Sequence, residues 1–363
     1  MKRLMHNFNA GPSVLPEEVF KQASEAVINF NNSGLSILEI GHRTPEFTEI
    51  METARSLVKE LMNLGDDYEV LFLHGGASTQ FFQVPMNLLD QFESAAYADT
   101  GVWSSKGIKE ASIFGNVNVI CSSKDKNYNY IPKQFSIPED AKYLHITTNN
   151  TIYGTQWNDI PNIDIPIVAD MSSDILSREM DFSKFSLIYA GAQKNLGCAG
   201  ATIVIINKKI LGKVERILPT MMDYRNHIKE HSLLNTPPVF AVYVSYLTLK
   251  WLKKSGGVRE IEKLNNEKAR LLYSEIDRNT QFTGTAEVED RSKMNICFVA
   301  KNKKTEEDFL EFCKTRNIYG IKGHRSVGGF RASSYNALPM QSLEHLIKAM
   351  QDFENEILKG NNN

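Results

Sequence analysis

The feature that most constrains the fold is a series of short, fully apolar segments that alternate with helical patterns over the first two thirds of the chain. Segments such as 69–73, 143–148 and 165–170 show no alternation between apolar and polar positions. Strands that are apolar on both faces are buried on both faces, as in parallel sheets covered by helices. The pattern therefore predicts an α/β fold with a mostly parallel sheet flanked by helices.

The predicted elements fall into two groups along the chain. In the first group, strands are expected at 69–73, 95–98, 117–120, 143–148, 165–170 and 187–189, and helices at 16–29, 47–64, 80–89 and 103–111. In the second group, helices are expected at 239–253, 258–277, 305–316 and 342–358, and a strand at 294–299. We interpret the chain as a large domain, 1–257, followed by a smaller C-terminal α+β domain, 258–363, with 359–363 as a frayed tail.

Composition excludes several classes of protein. The 363 residues include 42% hydrophobic and 23% charged residues, which is ordinary for a globular protein. The formal net charge of −2 gives no reason to expect nucleic acid or an anionic membrane as a partner. No apolar stretch approaches the roughly 20 residues that span a bilayer, and no signal peptide is predicted. The 4 cysteines are widely separated, which predicts free thiols in the cytoplasm and no metal site.

A lysine and an aspartate indicate the chemistry. Asp170 ends the apolar segment 165–170, and Lys194 lies on a turn of small residues further along the chain. A poorly solvated lysine has a lowered pKa and becomes a nucleophile that forms Schiff bases. An aspartate at a strand end suits the pyridinium nitrogen of pyridoxal phosphate. An isolated lysine after a glycine turn would be an ordinary surface residue, but together the two residues predict a pyridoxal-phosphate enzyme.

Other candidate cofactor contacts also follow predicted strands, where open α/β sheets bind their ligands. The glycine-rich loop 75–79 suits a phosphate at a helix N-terminus, although a plain tight turn has the same pattern. Trp103 would stack on the cofactor ring or would be a core tryptophan. Thr151 would donate to the ring's phenolic oxygen or would cap a turn. Ser172 lies near enough to Asp170 in sequence to reach the phosphate.

Three glycine-rich turns carry arginine, and two of these also carry histidine. The five residues are His42, Arg43, His324, Arg325 and Arg331. Arginine binds carboxylate or phosphate through a bidentate fork that lysine cannot copy. Any one of these arginines alone would be read as a solvated surface residue. As a set they predict a substrate that carries both a carboxylate and a phosphate.

The order of short motifs resembles one known family essentially end to end. The motifs are Phe8-Asn9-Ala10-Gly11-Pro12, Gly41-His42-Arg43, Gly75-Gly76, Thr100-Gly101-Val102-Trp103-Ser104, Asn150-Thr151-Ile152-Tyr153-Gly154, Ala169-Asp170-Met171-Ser172-Ser173, Ala192-Gln193-Lys194-Asn195, Asn235-Thr236-Pro237-Pro238 and Gly329-Phe330-Arg331-Ala332-Ser333. The chain resembles the phosphoserine aminotransferases, class V members of the fold-type I pyridoxal-phosphate enzymes. The resemblance implies a homodimer with active sites at the subunit interface, and an N-terminal segment, 1–15, near the active site.

The resemblance also implies a role for each candidate. Lys194 would form the Schiff base and then move the proton between the substrate Cα and the cofactor, while Asp170 would pair with the pyridinium nitrogen. Trp103 would stack on the ring, and Thr151 would bond its phenolic oxygen. The cofactor phosphate would contact Gly76, Ala77, Ser172 and Gln193, together with Asn235 and Thr236 of the other subunit. Arg331 would hold the substrate α-carboxylate, and His42, Arg43, His324 and Arg325 would receive the substrate phosphate, the first two from the other subunit.

The implied reaction is a ping-pong transamination in L-serine biosynthesis. L-Glutamate leaves as 2-oxoglutarate, and 3-phosphohydroxypyruvate then becomes O-phospho-L-serine. The resemblance also allows a second role in pyridoxine biosynthesis, through 4-phosphohydroxythreonine. The chain departs from many family members at Ser78, where they have an arginine that helps to bind the substrate phosphate.

Three other functions fit parts of the pattern. A cysteine desulfurase shares the fold, but it needs a mobile catalytic cysteine, whereas Cys297 and Cys313 lie in a predicted strand and a predicted helix. An alanine–glyoxylate-type transaminase would not need the paired His-Arg turns. A catalytically inactive binding protein of the same fold would not need both Lys194 and Asp170.

Overall fold

The structure is a computed structural model and describes residues 5–360. Its strands are β1 (His6–Asn7), β2 (Tyr68–Leu73), β3 (Ser94–Asp99), β4 (Asn116–Ser122), β5 (Ala141–Thr147), β6 (Asn149–Asn150), β7 (Thr155–Gln156), β8 (Ile167–Asp170), β9 (Phe185–Gly191), β10 (Thr202–Asn207), β11 (Phe282–Gly284), β12 (Asn295–Ala300), β13 (Ile318–Tyr319) and β14 (Phe330–Ser333). Its helices are α1 (Glu17–Asn29), α2 (Pro45–Leu61), α3 (Gly76–Leu88), α4 (Val102–Ala111), α5 (Tyr224–Lys229), α6 (Val239–Lys254), α7 (Gly257–Arg278), α8 (Lys303–Thr315) and α9 (Met340–Gly360). Within the described range, no helix has the length and apolar character needed to cross a membrane.

The main sheet has seven strands among the described residues, in the order β2-β10-β9-β8-β5-β3-β4. Neighbours from β9 to β4 are parallel, whereas β10 runs antiparallel to both β9 and β2. Only β10 is therefore inverted, and the predicted mostly parallel α/β sheet is confirmed. Because β2, β3, β5, β8 and β9 point the same way, the segments that follow them emerge at one edge of the sheet.

Side chains that alternate along each strand explain the continuous apolar runs. Ile167 and Ala169 of β8 pack into a cluster with α1, α2 and α6, whereas Val168 packs into a second cluster with residues of α3 and α5. Both faces of the sheet are thus covered. Every residue of β8 is buried, including the terminal Asp170, so the strand carries its carboxylate into an apolar layer.

A separate apolar cluster occupies the C-terminal part. The antiparallel sheet β11-β12-β14 packs with α7, α8 and α9, and its interior is rich in phenylalanine. Phe8 and Val14 from the N-terminal segment also belong to this cluster, and β1 pairs in parallel with β13. The division into domains 1–257 and 258–363 stays a prediction, which the separate clusters support.

Most element boundaries lie within three residues of the sequence expectation, and two differences need a physical explanation. Helix α3 begins at Gly76 rather than at residue 80, because the left-handed Gly75 (φ 94°) turns the chain directly into a helix whose first turn has no apolar periodicity. Helix α9 continues through Lys359 to Gly360 instead of fraying there. The remainder of the expected tail, 361–363, lies outside the described residues.

Candidate active site

The aspartate and the lysine meet at the carboxyl edge of the sheet. Asp170 ends β8, and its register partners are Thr147 of β5 and Tyr189 of β9. Lys194 lies on the turn that follows β9. The ammonium and the carboxylate act on each other electrostatically, since each opposes the effect of burial on the pKa of the other. The adjacency of β8 and β9 thus brings together two residues that are far apart in sequence.

Burial lowers the pKa of Lys194, and the positive charge of Arg331 lowers it further, against the opposing charges of Asp170 and Asp174. A lysine with a lowered pKa has more of the neutral amine that attacks carbonyl groups. The N-terminal segment fixes the turn, because Ser13 Oγ donates to the carbonyl oxygen of Lys194 at 2.5 Å. A Cβ atom on Gly11 would lie 3.6 Å from Lys194 Cγ, so this segment packs directly on the lysine stem.

Asp170 is a buried carboxylate that forms no ion pair within residues 5–360. Burial raises its pKa, while hydrogen bonds from Ser172 and the charge of Lys194 work in the opposite direction. The backbone N–H of Ser172 donates to Asp170 Oδ1 at 2.9 Å. A buried carboxylate is costly unless a cation or several donors face it. A pyridinium nitrogen is such a cation, so this residue fits the ring of pyridoxal phosphate.

Trp103, Thr151 and Arg331 form a connected group beside the lysine. Trp103 Nε1 donates to Thr151 Oγ1 at 3.1 Å, and Arg331 Nη1 donates to the carbonyl oxygen of Thr151 at 3.0 Å. The Thr151 hydroxyl keeps its own proton free to donate to a ligand. Arg331 Nε is buried and has no hydrogen-bond partner among the described residues, so the guanidinium retains capacity for an anion.

The glycine-rich loop 75–79 leads into the N-terminus of α3 and could bind an anion there. Gly75 and Gly76 both have positive φ, and a Cβ on Gly75 would lie 1.8 Å from Thr79 Oγ1. Among the described residues, no side chain caps the first turn of α3, so its amide N–H groups can bind an anion such as the cofactor phosphate. Ala77 lies in that first turn, and Ser78 beside it is exposed.

Ser172 and Gln193 lie on the two segments that flank this edge of the sheet. Ser172 is buried, and its Oγ accepts a hydrogen bond from the Gly191 N–H at 3.2 Å. The Gln193 carbonyl oxygen accepts from the Ser13 N–H at 2.9 Å. These two hydrogen bonds fix the positions of Ser172 and Gln193 next to Lys194.

A group of cations lies beyond the tryptophan. Burial lowers the pKa of His324, and the charges of Arg331, Arg325 and Lys106 lower it further, which places each of the three cations within electrostatic range of His324. The Lys106 ammonium lies 4.6 Å from the centroid of the Trp103 ring. Lys106 is not among the residues predicted from the sequence, although its spacing of three residues from Trp103 on a predicted helix was a usable signal.

The structure leaves two predicted pairs apart from this group. His42 and Arg43 precede α2, and no hydrogen bond or ion pair within residues 5–360 connects them to Lys194, although His42 Nε2 is buried without a partner there. The carbonyl oxygen of Thr236 accepts from His74 Nε2 at 2.9 Å, and Asn235 Nδ2 donates to the same oxygen at 3.2 Å. These two residues therefore lie near the strand that leads into the loop 75–79.

Asp174 is a second carboxylate that the sequence analysis missed. It is buried and accepts hydrogen bonds from Thr148 Oγ1 and, at 3.1 Å, from Gln156 Nε2. Burial raises its pKa against the opposing charge of Arg178. Its position in the polar run that follows the strand end at Asp170 was the available signal.

The two C-terminal thiols are not placed for catalysis. Cys297 lies in β12 and Cys313 in α8, and burial raises the pKa of each to about 12. Reactive thiols need a lowered pKa and access to substrate. Neither thiol fits the mobile nucleophile of a cysteine desulfurase.

This fold and site define a pyridoxal-phosphate-dependent aminotransferase, and the comparisons agree. The model of the family described as aminotransferase class-V matches residues 5–346, so the chain belongs to this family. It is 57% identical over 353 residues to a protein of Flavobacterium psychrophilum, covering 97% of this chain and 99% of the relative. That relative is named phosphoserine aminotransferase.

Solved structures give the same result. A phosphoserine aminotransferase structure that records radiation damage of the Schiff base has a TM-score of 0.95 at 45% identity, covering 98% of this chain and 100% of the other. The pyridoxal-phosphate-bound phosphoserine aminotransferase of Trichomonas vaginalis has a TM-score of 0.91 at 36% identity, covering 96% and 99%. The expected family, fold class, enzyme class and cofactor are thereby confirmed.

Proposed function

We propose that this chain catalyses the reversible transamination of 3-phosphohydroxypyruvate with L-glutamate, giving O-phospho-L-serine and 2-oxoglutarate. The observation that carries the proposal is that Lys194 lies beside Asp170 at the edge of the main sheet and within electrostatic range of Arg331 of β14. The lysine has a lowered pKa, and the arginine has a buried Nε without a partner among the described residues. Lys194, whose amine can take part in amino-group transfer, thus lies near Arg331, which can bind a carboxylate. The name of the 57% identical relative supports the same reaction.

The residues at the edge of the sheet fit pyridoxal phosphate. When bound, this cofactor supplies the electron sink that stabilises negative charge at a substrate Cα. Asp170 would hold the pyridinium nitrogen, Trp103 the ring face, and Thr151 the phenolic oxygen. The phosphate would lie at Gly76, Ala77, Ser172 and Gln193, where the first-turn amides of α3 have no side-chain cap.

Lys194 is the residue proposed to move the proton. Its Nζ, with a pKa lowered by burial, would accept the substrate Cα proton and return it on the other side of the reaction. Asp170 would stay ionised, because the ring cation offsets the burial that raises its pKa. Ser13 and Gly11 would keep the lysine turn in place during this transfer.

The substrate is proposed to bind through two separate anion seats. Arg331 would hold the α-carboxylate, with its Nη1 already fixed by the Thr151 carbonyl oxygen. His324 and Arg325 would receive the phosphate of 3-phosphohydroxypyruvate. Ser78 is neutral and would add no positive charge to the binding of this phosphate.

A second subunit is proposed to complete the site. His42 and Arg43 would reach the substrate phosphate of the other chain in a homodimer, and Asn235 and Thr236 its cofactor phosphate. For His42 and Arg43 the assignment is supported by the lack, within residues 5–360, of a hydrogen bond or ion pair to the site of their own chain. We also propose a cytoplasmic location and a capacity for the related 4-phosphohydroxythreonine reaction.

A glutamate-dependent assay with phosphorylated and unphosphorylated hydroxypyruvate tests the proposed function. We expect a clear preference for the phosphorylated keto acid, because two histidines and two arginines are assigned to its phosphate. Equal kcat/KM values for the two keto acids would overturn the proposal. Good activity with alanine and glyoxylate instead would identify the other class V transaminase reaction.

A further inference from the structure

Lys106 is placed on the active-site face of α4 by helical spacing. It follows Trp103 by three residues, and residues at that spacing lie on the same face of a helix. Its ammonium lies 4.6 Å from the Trp103 ring centroid, within the range of a cation–π interaction. The side chain is nevertheless exposed, so the amine is held beside the ring while its three N–H donors stay open to solvent.

Lys106 shares the surroundings of His324 with two other cations. Its charge acts on His324, as do the charges of Arg325 and Arg331. Within residues 5–360, no carboxylate lies within ion-pair distance of the three permanent cations of this group. The nearby Glu306 is engaged with the Gly329 N–H, at 3.3 Å from its Oε2. Like charges that stand together without a counter-ion repel one another, so an anion would stabilise this group.

The charges of the group match a substrate that has both a phosphate and a carboxylate. A phosphate monoester carries about −1.5 to −2 at neutral pH. Arg331 is tied through Thr151 to the tryptophan end of the site and suits the carboxylate. Lys106 and Arg325 then remain for the phosphate. A lysine provides a compact charge on a flexible stem, which can reach such a group without a fixed fork geometry.

We propose that Lys106 binds the phosphate of the keto-acid substrate and sets the preference for phosphorylated over unphosphorylated substrates. This inference rests on the proposed function, because it takes the phosphorylated keto acid as the natural substrate. It assigns to α4 a second contribution to the site: Trp103 for the cofactor ring and Lys106 for the substrate phosphate.

The test compares Lys106→Met with Lys109→Met in the intact holoenzyme. Lys109 is exposed on the same helix one turn further on, and among the described residues it has no ring or ion-pair contact, so it is a matched control. For Lys106→Met we expect kcat/KM for 3-phosphohydroxypyruvate to fall about tenfold, chiefly through KM, as for loss of one charge-assisted contact. The fall in kcat/KM for hydroxypyruvate should be clearly smaller. Lys109→Met should keep the wild-type ratio of kcat/KM for the phosphorylated to the unphosphorylated keto acid.

Two further measurements separate binding from packing. Inorganic phosphate should compete with the keto acid, and its inhibition constant should rise about tenfold in Lys106→Met but stay near the wild-type value in Lys106→Arg. If Lys106 only supports Trp103, kcat/KM will fall by the same factor for both keto acids, and the inhibition constant of phosphate will not change. That result would overturn the inference while leaving the proposed function intact. Absence of any preference in the wild type would instead refute the proposed function itself.

Discussion

The two ends of the active site are built in different ways. The cofactor end lies on strand termini and a helix, with Asp170 buried at the end of β8 and Lys194 on the turn after β9. The proposed substrate end draws partly on glycine-rich loops, where Arg43 and Arg325 are exposed, and partly on β14 and α4, which carry Arg331 and Lys106. The residues proposed for the chemistry are thus fixed by the sheet, whereas several residues proposed for substrate recognition lie on loops, where the chain varies and adapts most easily. Each of the following predictions acts on one side of this contrast.

The largest effect is expected at the cofactor end. Lys194→Ala should lower turnover at least about 10⁴-fold, since no other described amine is placed to move the Cα proton. The variant should also lack the absorption band of lysine-bound cofactor. Lys109→Ala serves as the control and should retain both properties. A Lys194→Ala enzyme with full activity would refute the catalytic assignment.

Asp170→Asn tests the same end without changing its shape. The amide is neutral and leaves the ring nitrogen without its counter-charge, so kcat should fall about 10²- to 10³-fold, as for a broken buried pair. Substrate KM should change little, because Asp170 is assigned to the cofactor rather than to the substrate. A rise in KM with an unchanged kcat would assign Asp170 to substrate binding and contradict the proposed difference between the two ends of the site.

The proposed sharing of the substrate end between two subunits can be tested by mixing two inactive or weakened variants. A dimer of one Lys194→Ala chain and one Arg43→Ala chain would contain one site with both residues intact if Arg43 acts across the interface. Random mixing should therefore give about a quarter of the wild-type activity, from half of the dimers with one working site each. Mixtures no more active than the average of the two separate variants would place Arg43 in the site of its own chain.

The smallest expected effect concerns stability and pH. Lys268 is fully buried in α7 and donates to the carbonyl oxygens of Tyr335 at 2.8 Å and Leu338 at 3.4 Å, just after the strand that carries Arg331. Burial lowers the pKa of Lys268 to about 7, from an ordinary value of 10.5. Between these values the unfolded chain binds more protons than the folded one, so the contribution of this group to stability rises with pH.

The comparison of wild type with Lys268→Met makes this pH effect visible. Relative to the variant, the wild type should gain free energy of unfolding, by about 1 kcal/mol or more, as pH rises from 7 towards 10. Urea denaturation at several pH values measures the difference. A constant offset would show that Lys268 does not titrate in this range and that its hydrogen bonds alone matter.

The contrast between the two ends also explains what the sequence could predict. The apolar strand that ends at Asp170 and the small-residue turn at Lys194 have local patterns, and both elements form where they were expected. The approach of Lys106 to His324 depends on how α4 and the loop before β14 meet in space, which no local pattern encodes. The pairing of β1 with β13 was missed for the same reason, because two-residue strands have no period to detect.

The N-terminal segment ties the lysine to the C-terminal core. The Phe8 N–H donates to the carbonyl oxygen of Tyr319 at 2.8 Å, and five residues later Ser13 holds the carbonyl oxygen of Lys194 at 2.5 Å. Five residues reach at most about 17 Å when fully extended. While both hydrogen bonds hold, movement of the C-terminal core relative to the lysine turn at the edge of the main sheet is therefore limited by the length of this segment.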